Sequence, residues 1–337
     1  MTRPSTAAYN PVPRSHIVNS STARTIRTDY WCLLLYVTLA LATGFADLRM
    51  RAYPQHAATK FIPGVIDNTE SAPGRYRILA PYIDHQIVQL TGAAPQNVWY
   101  VTRLLWIGLA YAVLHFYLRT WFAPGPAMAG VALVAASLPL TFTNSWAHPD
   151  HLPELALFSL GAMAIARRSD ALFAMALAAA ALNRETSVFL VLLFLVAEPL
   201  SRARLVRGVL FGLEWAAIYA GLRALRGLSH YDYWQAARNL ADLRIPLPDA
   251  FDPYYRAYAY FVVALFGPMI LLALRARHAP RFMRRALLVV PVVVIVAFLF
   301  SNIIETRIFT PLYALVLPAL VYSLFAPDTN ASTSQPA

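Results

Sequence analysis

Residues 171–200 read ALFAMALAAAALNRETSVFLVLLFLVAEPL, and this stretch decides how often the chain crosses a membrane. Two apolar runs are separated by the polar tetrapeptide Asn183-Arg184-Glu185-Thr186. One helix through the whole stretch would place Arg184 and Glu185 at mid-membrane depth, where ionisable side chains are costly. The stretch therefore predicts two short helices, joined by the polar residues at a membrane boundary.

The composition of the whole chain is typical of a membrane protein. Of its 337 residues, 58% are hydrophobic and 13% are charged, whereas soluble domains carry roughly 25% charged residues. The mean hydropathy is +0.50. Recurrent apolar runs predict an all-α, polytopic transmembrane helical bundle of about ten spans, several of them short. The runs are 30–46, 98–118, 125–142, 152–166, 171–182, 187–200, 208–222, 257–274, 286–304 and 308–326.

The distribution of arginine predicts the orientation of this bundle. The short loops on one side hold eleven arginines, whereas those on the other side hold two, Arg184 and Arg307. Because cytoplasmic loops carry the excess of basic residues, the eleven are predicted to be cytoplasmic, together with both chain termini. The sequence thus predicts a multi-pass protein of the bacterial cytoplasmic membrane. The eleven are Arg119, Arg167, Arg168, Arg202, Arg204, Arg207, Arg275, Arg277, Arg281, Arg284 and Arg285.

The chain is predicted to form one transmembrane domain, residues 30–326, between two disordered cytoplasmic tails, 1–29 and 327–337. The two long outer segments, 47–97 and 223–256, mix aromatic residues with Arg and Pro. This mixture predicts amphipathic helices that lie in the headgroup layer. The net charge of +11 does not indicate nucleic-acid binding, because the basic residues lie between apolar runs, where topology explains them.

Three polar signatures are predicted to meet on the outer side of the membrane. They are His148-Pro149-Asp150-His151, Asn183-Arg184-Glu185-Thr186 and Glu305-Thr306-Arg307. Charged groups that converge at the edge of hydrocarbon indicate a functional site. Within these signatures the candidate substrate-binding residues are His148, His151, Arg184, Glu185, Glu305 and Arg307.

Each signature also has a structural interpretation. Arg184 and Glu185 are adjacent and could neutralise each other, and a pair between Arg184 and Glu305 is another alternative. The two histidines, Asp150 and Glu154 lie within seven residues and could ligate a divalent metal, but the histidines have no established ligand spacing, so no cofactor is certain and a divalent metal stays an alternative.

Asp47 and a pair of arginines extend this site. Asp47 ends the first span, where a carboxylate can serve as a general base. Arg75 and Arg77, with Arg103 near the outer end of the second span, are candidate anion ligands. Residues two apart, such as 75 and 77, point to the same side of an extended chain but diverge on a helix. Carboxylates, arginines and flanking aromatics together suit a sugar that is attached to a lipid phosphate.

This layout resembles the polytopic glycosyltransferases of the C superfamily, which use polyprenyl-phosphate sugars as donors. The resemblance lies in an acidic residue after the first span (Asp47), a long first outer loop and a further acidic residue in the next outer loop (Asp150). It implies a transferase that moves a sugar from a polyprenyl-phosphate donor to a lipid or glycan acceptor, within membrane lipids. It implies Asp47 as the catalytic base and Asp150 as a second catalytic carboxylate. It also implies that Arg75, Arg77, Arg184 or Arg307 binds the phosphate.

The chain departs from this family in two respects: Asp47 stands alone where many members have paired acidic residues, and no large outer soluble domain is present. Two other activities are kept open, beside a non-catalytic membrane scaffold. A transporter or lipid flippase would explain short apolar runs that meet at a polar junction. A polysaccharide polymerase or ligase would share the outer loops and arginines, but would use a pyrophosphate-linked glycan.

Overall fold

A computed structural model describes residues 18–50, 57–142, 150–229, 234–244, 253–303 and 305–325. The regular secondary structure of these residues is helical, with no strand among them, and the all-α prediction is confirmed. Each predicted apolar run falls largely on a helix. In chain order the helices are α1 (Val18–Met50), α2 (Ile62–Ile66), α3 (Leu79–Thr91), α4 (Pro95–Leu118), α5 (Pro124–Ser137), α6 (His151–Ala166), α7 (Asp170–Asn183), α8 (Val188–Val196), α9 (Arg202–Arg226), α10 (Ala236–Arg244), α11 (Pro253–Leu274), α12 (Arg281–Ala286), α13 (Val289–Phe300) and α14 (Pro311–Phe325).

Five helical stretches among the described residues are long and apolar enough to cross a membrane. They are Thr28–Arg49, Pro95–Leu118, Pro124–Thr141, Arg202–Arg226 and Arg281–Phe300. The other apolar runs form helices of 10–17 residues. Several apolar helices therefore fit a membrane protein, while the number of ten spans and the orientation stay predictions. Helices α2, α3 and α10 lie in the predicted outer segments, and their depth relative to a membrane also stays a prediction.

Two of the short helices, α6 and α14, form the centre of the bundle. Residues 151–159 of α6 and 311–321 of α14 are buried on every side, as expected of helices that are apolar all round. Helix α6 packs between α4 and α7, and α14 contacts α5, α6 and α11. Tyr117 of α4 donates to the carbonyl of Ala314, and Tyr313 of α14 bonds to Ser137. These buried hydroxyls connect α14 to its neighbours without leaving polar atoms unsatisfied.

The periphery of the bundle is apolar, opposite to the pattern of a water-soluble protein. Helices α1, α4, α9 and α13 expose large hydrophobic side chains along most of their length, among them Phe45, Leu105, Leu213 and Ile295. Contiguous exposed apolar surface of this kind marks a membrane or partner interface. Several ionic side chains, by contrast, are buried inside the bundle, among them Asp47, Arg103, Asp150 and Arg184. This distribution of polarity fits a protein that lipid surrounds.

The stretch 171–200 forms two helices, as predicted. Helix α7 ends at Asn183, and Arg184 is extended with φ −156° and ψ 146°. A 3-10 turn, Glu185–Ser187, then leads into α8. The segment before α3 contacts this break, because the backbone N–H of Ile78 donates to the carbonyl of Leu182 at 3.0 Å. That bond places residue 77 beside the break.

Candidate functional site

A cavity of about 430 Å³ lies where the break between α7 and α8 faces α9, α13 and the 3-10 turn Thr306–Phe309. Polar groups of three kinds line it: guanidinium groups, carboxylates and small amide or hydroxyl groups. Aromatic side chains of α8, α9 and α13, together with aliphatic and small side chains, form the rest of the wall. The principal lining residues are Ser71, Arg77, Arg184, Glu185, Thr186, Phe189, Trp215, Tyr219, Phe300, Asn302, Glu305 and Arg307.

Asp150 lies beneath this cavity and joins its three arginines. Its side chain is 1% exposed. Its Oδ2 lies 2.8 Å from Nη1 of Arg77 and 3.3 Å from Nε of Arg184, and its Oδ1 lies 3.4 Å from Nη1 of Arg307. The amide of Asn183 donates to the Asp150 carbonyl at 2.8 Å. Asp150 thus holds together the three signatures that the sequence separates by up to 157 positions.

The other carboxylates of the cluster are each held by one of these arginines. Arg77 donates to both oxygens of Glu185, at 2.5 and 3.3 Å. Arg307 donates twice to Oε2 of Glu305, at 2.6 and 3.1 Å. Arg184 pairs with Glu154 at 2.6 Å, and Thr186 donates to the same carboxylate. The adjacent Arg184 and Glu185 therefore pair with different partners, and the Arg184–Glu305 pair is not formed.

The carboxylates differ sharply in exposure. The side chains of Glu185 and Glu305 are 34% and 30% exposed, whereas that of Glu154 is 4% exposed. Glu185 and Glu305 therefore face the cavity, and Asp150 and Glu154 form its buried support. A buried carboxylate that guanidinium groups surround has little room to accept a substrate proton. The two exposed glutamates are chemically the more accessible pair.

The formal charges of the cluster nearly cancel. Three arginines face four carboxylates, Asp150, Glu154, Glu185 and Glu305. Burial lowers the pKa of Arg77, but the charges of Glu185 and Asp150 outweigh burial and raise the pKa above its ordinary value. The guanidinium therefore stays charged, and removing one partner of such a buried pair leaves an uncompensated charge.

The structure brings five of the predicted substrate-binding residues into the cavity wall: Arg77, Arg184, Glu185, Glu305 and Arg307. Arg75 lies elsewhere and donates to the carbonyls of Glu70 and Asn68. Its separation from Arg77 follows from the 3-10 turn Gly74–Tyr76, in which residues two apart diverge.

The histidine signature is split between described and undescribed residues. His151 is buried, with its ring 5.4 Å from that of Phe142, and it does not line the cavity. His148 lies outside the described residues. Within the part of the chain that the structure describes, no group of three or more His, Cys, Asp or Glu side chains is arranged to hold a metal ion.

Asp47 belongs to a second buried polar cluster, between α1, α3 and α4, and does not line the cavity. Its Oδ2 accepts from Nε of Arg103 at 2.7 Å, and the Arg103 guanidinium lies 4.9 Å from the Trp99 ring. Asp84 of α3 is buried beside this pair. Burial raises the pKa of Asp84 to about 6, although a hydrogen bond from Thr102 and the charge of Arg103 lower it.

The raised pKa of Asp84 predicts a pH-dependent stability. The folded protein holds this proton up to about pH 6, whereas the ordinary value is 3.8, so the stabilisation from protonated Asp84 is lost as the pH rises through 6. Asp84→Asn keeps the group neutral. Its stability relative to the unsubstituted protein should increase by roughly 2–3 kcal/mol between pH 4 and pH 8. Unfolding in detergent micelles at both pH values measures this, and a pH-independent difference would contradict it.

Several residues of these sites were not predicted from the sequence. Trp215 and Tyr219 of α9 are stacked, with their ring centroids 4.8 Å apart, and both line the cavity. Their spacing of four on a helix was the available signal. Glu154, one turn into α6, was predicted only as an alternative metal ligand beside the two histidines and Asp150, and its pairing with Arg184 was not predicted. Asp84 gave no signal of its own, because its role depends on partners distant in sequence.

No family model, curated protein or solved structure matches this chain. The fold and the site define the described part of the chain as all-helical, with apolar helices that fit a membrane and a buried ionic cluster beneath a cavity that charged and aromatic side chains line.

Proposed function

We propose that this protein is an integral membrane glycosyltransferase that moves a sugar from a polyprenyl-phosphate donor to a lipid or glycan acceptor. One observation carries the proposal: a single cavity is lined by three arginines, two accessible glutamates and a set of aromatic rings, and it is framed by apolar helices. Guanidinium groups bind phosphate through two parallel N–H bonds. Carboxylates serve as bases toward hydroxyl groups.

The walls of the cavity support a substrate with a hydrocarbon chain. Trp215 and Tyr219 face it from α9, and Val296 and Phe300 face it from α13, each pair spaced by four residues along its helix. Both helices pack on α8 and expose apolar side chains on their outer faces. Val188 and Phe300 are exposed as well as lining the cavity. A lipid tail in the bilayer would thus reach the cavity between α9 and α13.

Glu305 is the proposed base. Both of its hydrogen bonds from Arg307 go to Oε2, and its Oε1 has no hydrogen-bond partner among the described residues. Both oxygens of Glu185, by contrast, are engaged by Arg77. Asp150 is proposed to position the arginines. Asp47, the base that the family resemblance implies, does not line the cavity.

In the proposed reaction Glu305 accepts the proton of the acceptor hydroxyl. The acceptor oxygen forms a bond to the anomeric carbon, and the bond from that carbon to the phosphate oxygen breaks. The bonding electrons remain on the lipid phosphate, whose added charge the arginines stabilise. Attack opposite to the leaving phosphate inverts the anomeric centre.

The reaction is tested with the full chain in liposomes and a panel of polyprenyl-phosphate-linked sugars. We expect release of polyprenyl phosphate with transfer of labelled sugar to an added glycolipid or glycan acceptor. Transfer only from a pyrophosphate-linked glycan would identify a polymerase or ligase. The break between α7 and α8, which carries charged residues, favours a transporter as the second candidate. Movement of the labelled lipid across the bilayer without sugar transfer would establish that candidate and exclude the transferase.

The proposed orientation places the cavity outside the cell and residues 202–207 inside. Ser71 lines the cavity and Ala203 lies at the start of α9, and both are exposed. In a Cys32→Ala background, Ser71→Cys should react with a membrane-impermeant maleimide in intact cells. Ala203→Cys should react only after permeabilisation. The opposite pattern would overturn the orientation.

A further inference from the structure

The guanidinium of Arg77 has two functionally different edges. Its Nη1 donates to buried Asp150 at 2.8 Å, and this bond fixes the group to the support of the cavity. Its Nε and Nη2 form the opposite edge, which both oxygens of Glu185 occupy. The Nε–Nη2 edge is a geometry in which arginine binds carboxylate or phosphate with two parallel bonds. Glu185 therefore occupies the position that an anionic ligand of Arg77 would take.

The charge of the cluster determines whether an anion can bind Arg77 while Glu185 is bound to it. With three arginines and four carboxylates, the cavity has no excess positive charge available to an anion. A phosphate that entered beside Glu185 would meet a like charge at short range, which is unfavourable in a partly buried site. An anion and the Glu185 carboxylate thus compete for the same guanidinium edge.

Glu185 is also placed so that it can leave that edge. Its side chain is 34% exposed, and it begins the 3-10 turn between α7 and α8, where the backbone is not part of a regular α-helix. Asp150, at 1% exposure, cannot be displaced in the same way. Arg77 therefore keeps its position when Glu185 rotates away.

We infer that Glu185 is a displaceable internal ligand of Arg77, and that the phosphate group of a phosphate ester binds by replacing its carboxylate on the Nε–Nη2 edge. This inference rests on the proposed function in taking the lipid phosphate as the natural ligand. It makes Glu185 a determinant of affinity and specificity rather than a catalytic residue. It also means that the resting cavity excludes small anions until a ligand with further contacts displaces the glutamate.

The test measures binding rather than transfer, with the full chain in detergent micelles. Glu185→Gln removes the competing charge while keeping the side-chain shape. It should bind farnesyl phosphate about tenfold or more tightly than the unsubstituted chain. Glu198→Gln is the matched control. Glu198 is 38% exposed and pairs with Arg204 and Arg168 outside the cavity, so its replacement should leave the affinity unchanged.

A second ligand shows whether the lipid chain is needed for binding. A second variant shows whether the Nε–Nη2 edge of Arg77 binds the phosphate. Phenyl phosphate supplies the same head group without a lipid chain. A gain for farnesyl phosphate alone identifies the ligand as lipid-borne, and an equal gain for both ligands identifies the free monoester as sufficient. Adding Arg77→Lys to Glu185→Gln keeps the charge but removes the two-pronged edge, and should abolish the gain.

Unchanged or weaker binding by Glu185→Gln would overturn the inference, as would a gain that persists in the double variant. These outcomes are independent of sugar transfer. A protein that shows the gain but transfers no sugar from any donor would refute the proposed function and leave the role of Glu185 standing.

Discussion

Replacing Asp150 by Asn should lower the free energy of unfolding by about 3–5 kcal/mol, the cost of breaking a buried ion pair from one side. Asp150 is 1% exposed and meets Arg77, Arg184 and Arg307 within 3.4 Å. Asparagine has nearly the same shape, but its amide N–H₂ would face one of these guanidinium groups. The three arginines would then remain buried without the negative charge that they share. Thermal or denaturant unfolding in detergent micelles measures the loss.

The matched control for this prediction is Asp170→Asn. Asp170 pairs with Arg207 at 2.7 Å, but both side chains are more than 40% exposed. A solvent-exposed pair contributes about 0–1 kcal/mol, so this variant should unfold almost as the unsubstituted protein does. Equal effects of the two substitutions would show that Asp150 is not the structural centre of the cluster.

The helices of this fold were predictable because their signal is local. Apolar runs give the helices directly, and the polar residues 183–186 give the break between α7 and α8. The burial of α6 and α14 was not predictable in the same way. Their composition does not distinguish a helix surrounded by protein from one surrounded by lipid, since both environments are apolar. That distinction depends on tertiary packing alone.

The membership of the cavity was predictable in part from charge. Arg184, Glu185, Glu305 and Arg307 line the cavity as the clustering of polar signatures indicated. The pairing inside the cluster was not predictable, because each partner is far away in sequence: Arg77 meets Asp150 across 73 positions and Glu185 across 108. Adjacent charges suggested a local Arg184–Glu185 pair, but the extended backbone at Arg184 directs the two side chains to different partners.

Asp47 shows where a residue's position along a helix is insufficient to predict its role. A carboxylate at the end of the first span fitted a catalytic base. The structure places it in a buried pair with Arg103 of α4, 56 positions away, whereas the sequence indicated Arg103 as a ligand of an anion and not as the partner of Asp47. A base at Asp47 and a base at Glu305 predict opposite effects of replacing these two residues.

Glu305→Gln should reduce the rate of sugar transfer by about 10²–10⁴-fold, the usual contribution of a general base. Glutamine keeps the hydrogen-bonding shape beside Arg307, but it cannot take up the proton of the acceptor hydroxyl. Binding of the lipid donor should be retained, because the guanidinium groups remain in place. The rate is measured with a labelled polyprenyl-phosphate sugar, and donor binding is measured separately on the same preparation.

Asp47→Asn distinguishes the two candidate bases. If Glu305 is the base, the Asp47 variant retains transfer in proportion to its folded fraction, since Asp47 does not line the cavity. If Asp47 is the base, the Asp47 variant loses transfer while folded, and the Glu305 variant keeps it. Because Asp47→Asn removes the charge partner of buried Arg103, its unfolding transition must be measured beside its rate. If only the Glu305→Gln variant loses transfer, and it does so while folded, Glu305 is the residue that accepts the proton of the acceptor hydroxyl. The reaction then takes place in the cavity that Asp150 supports.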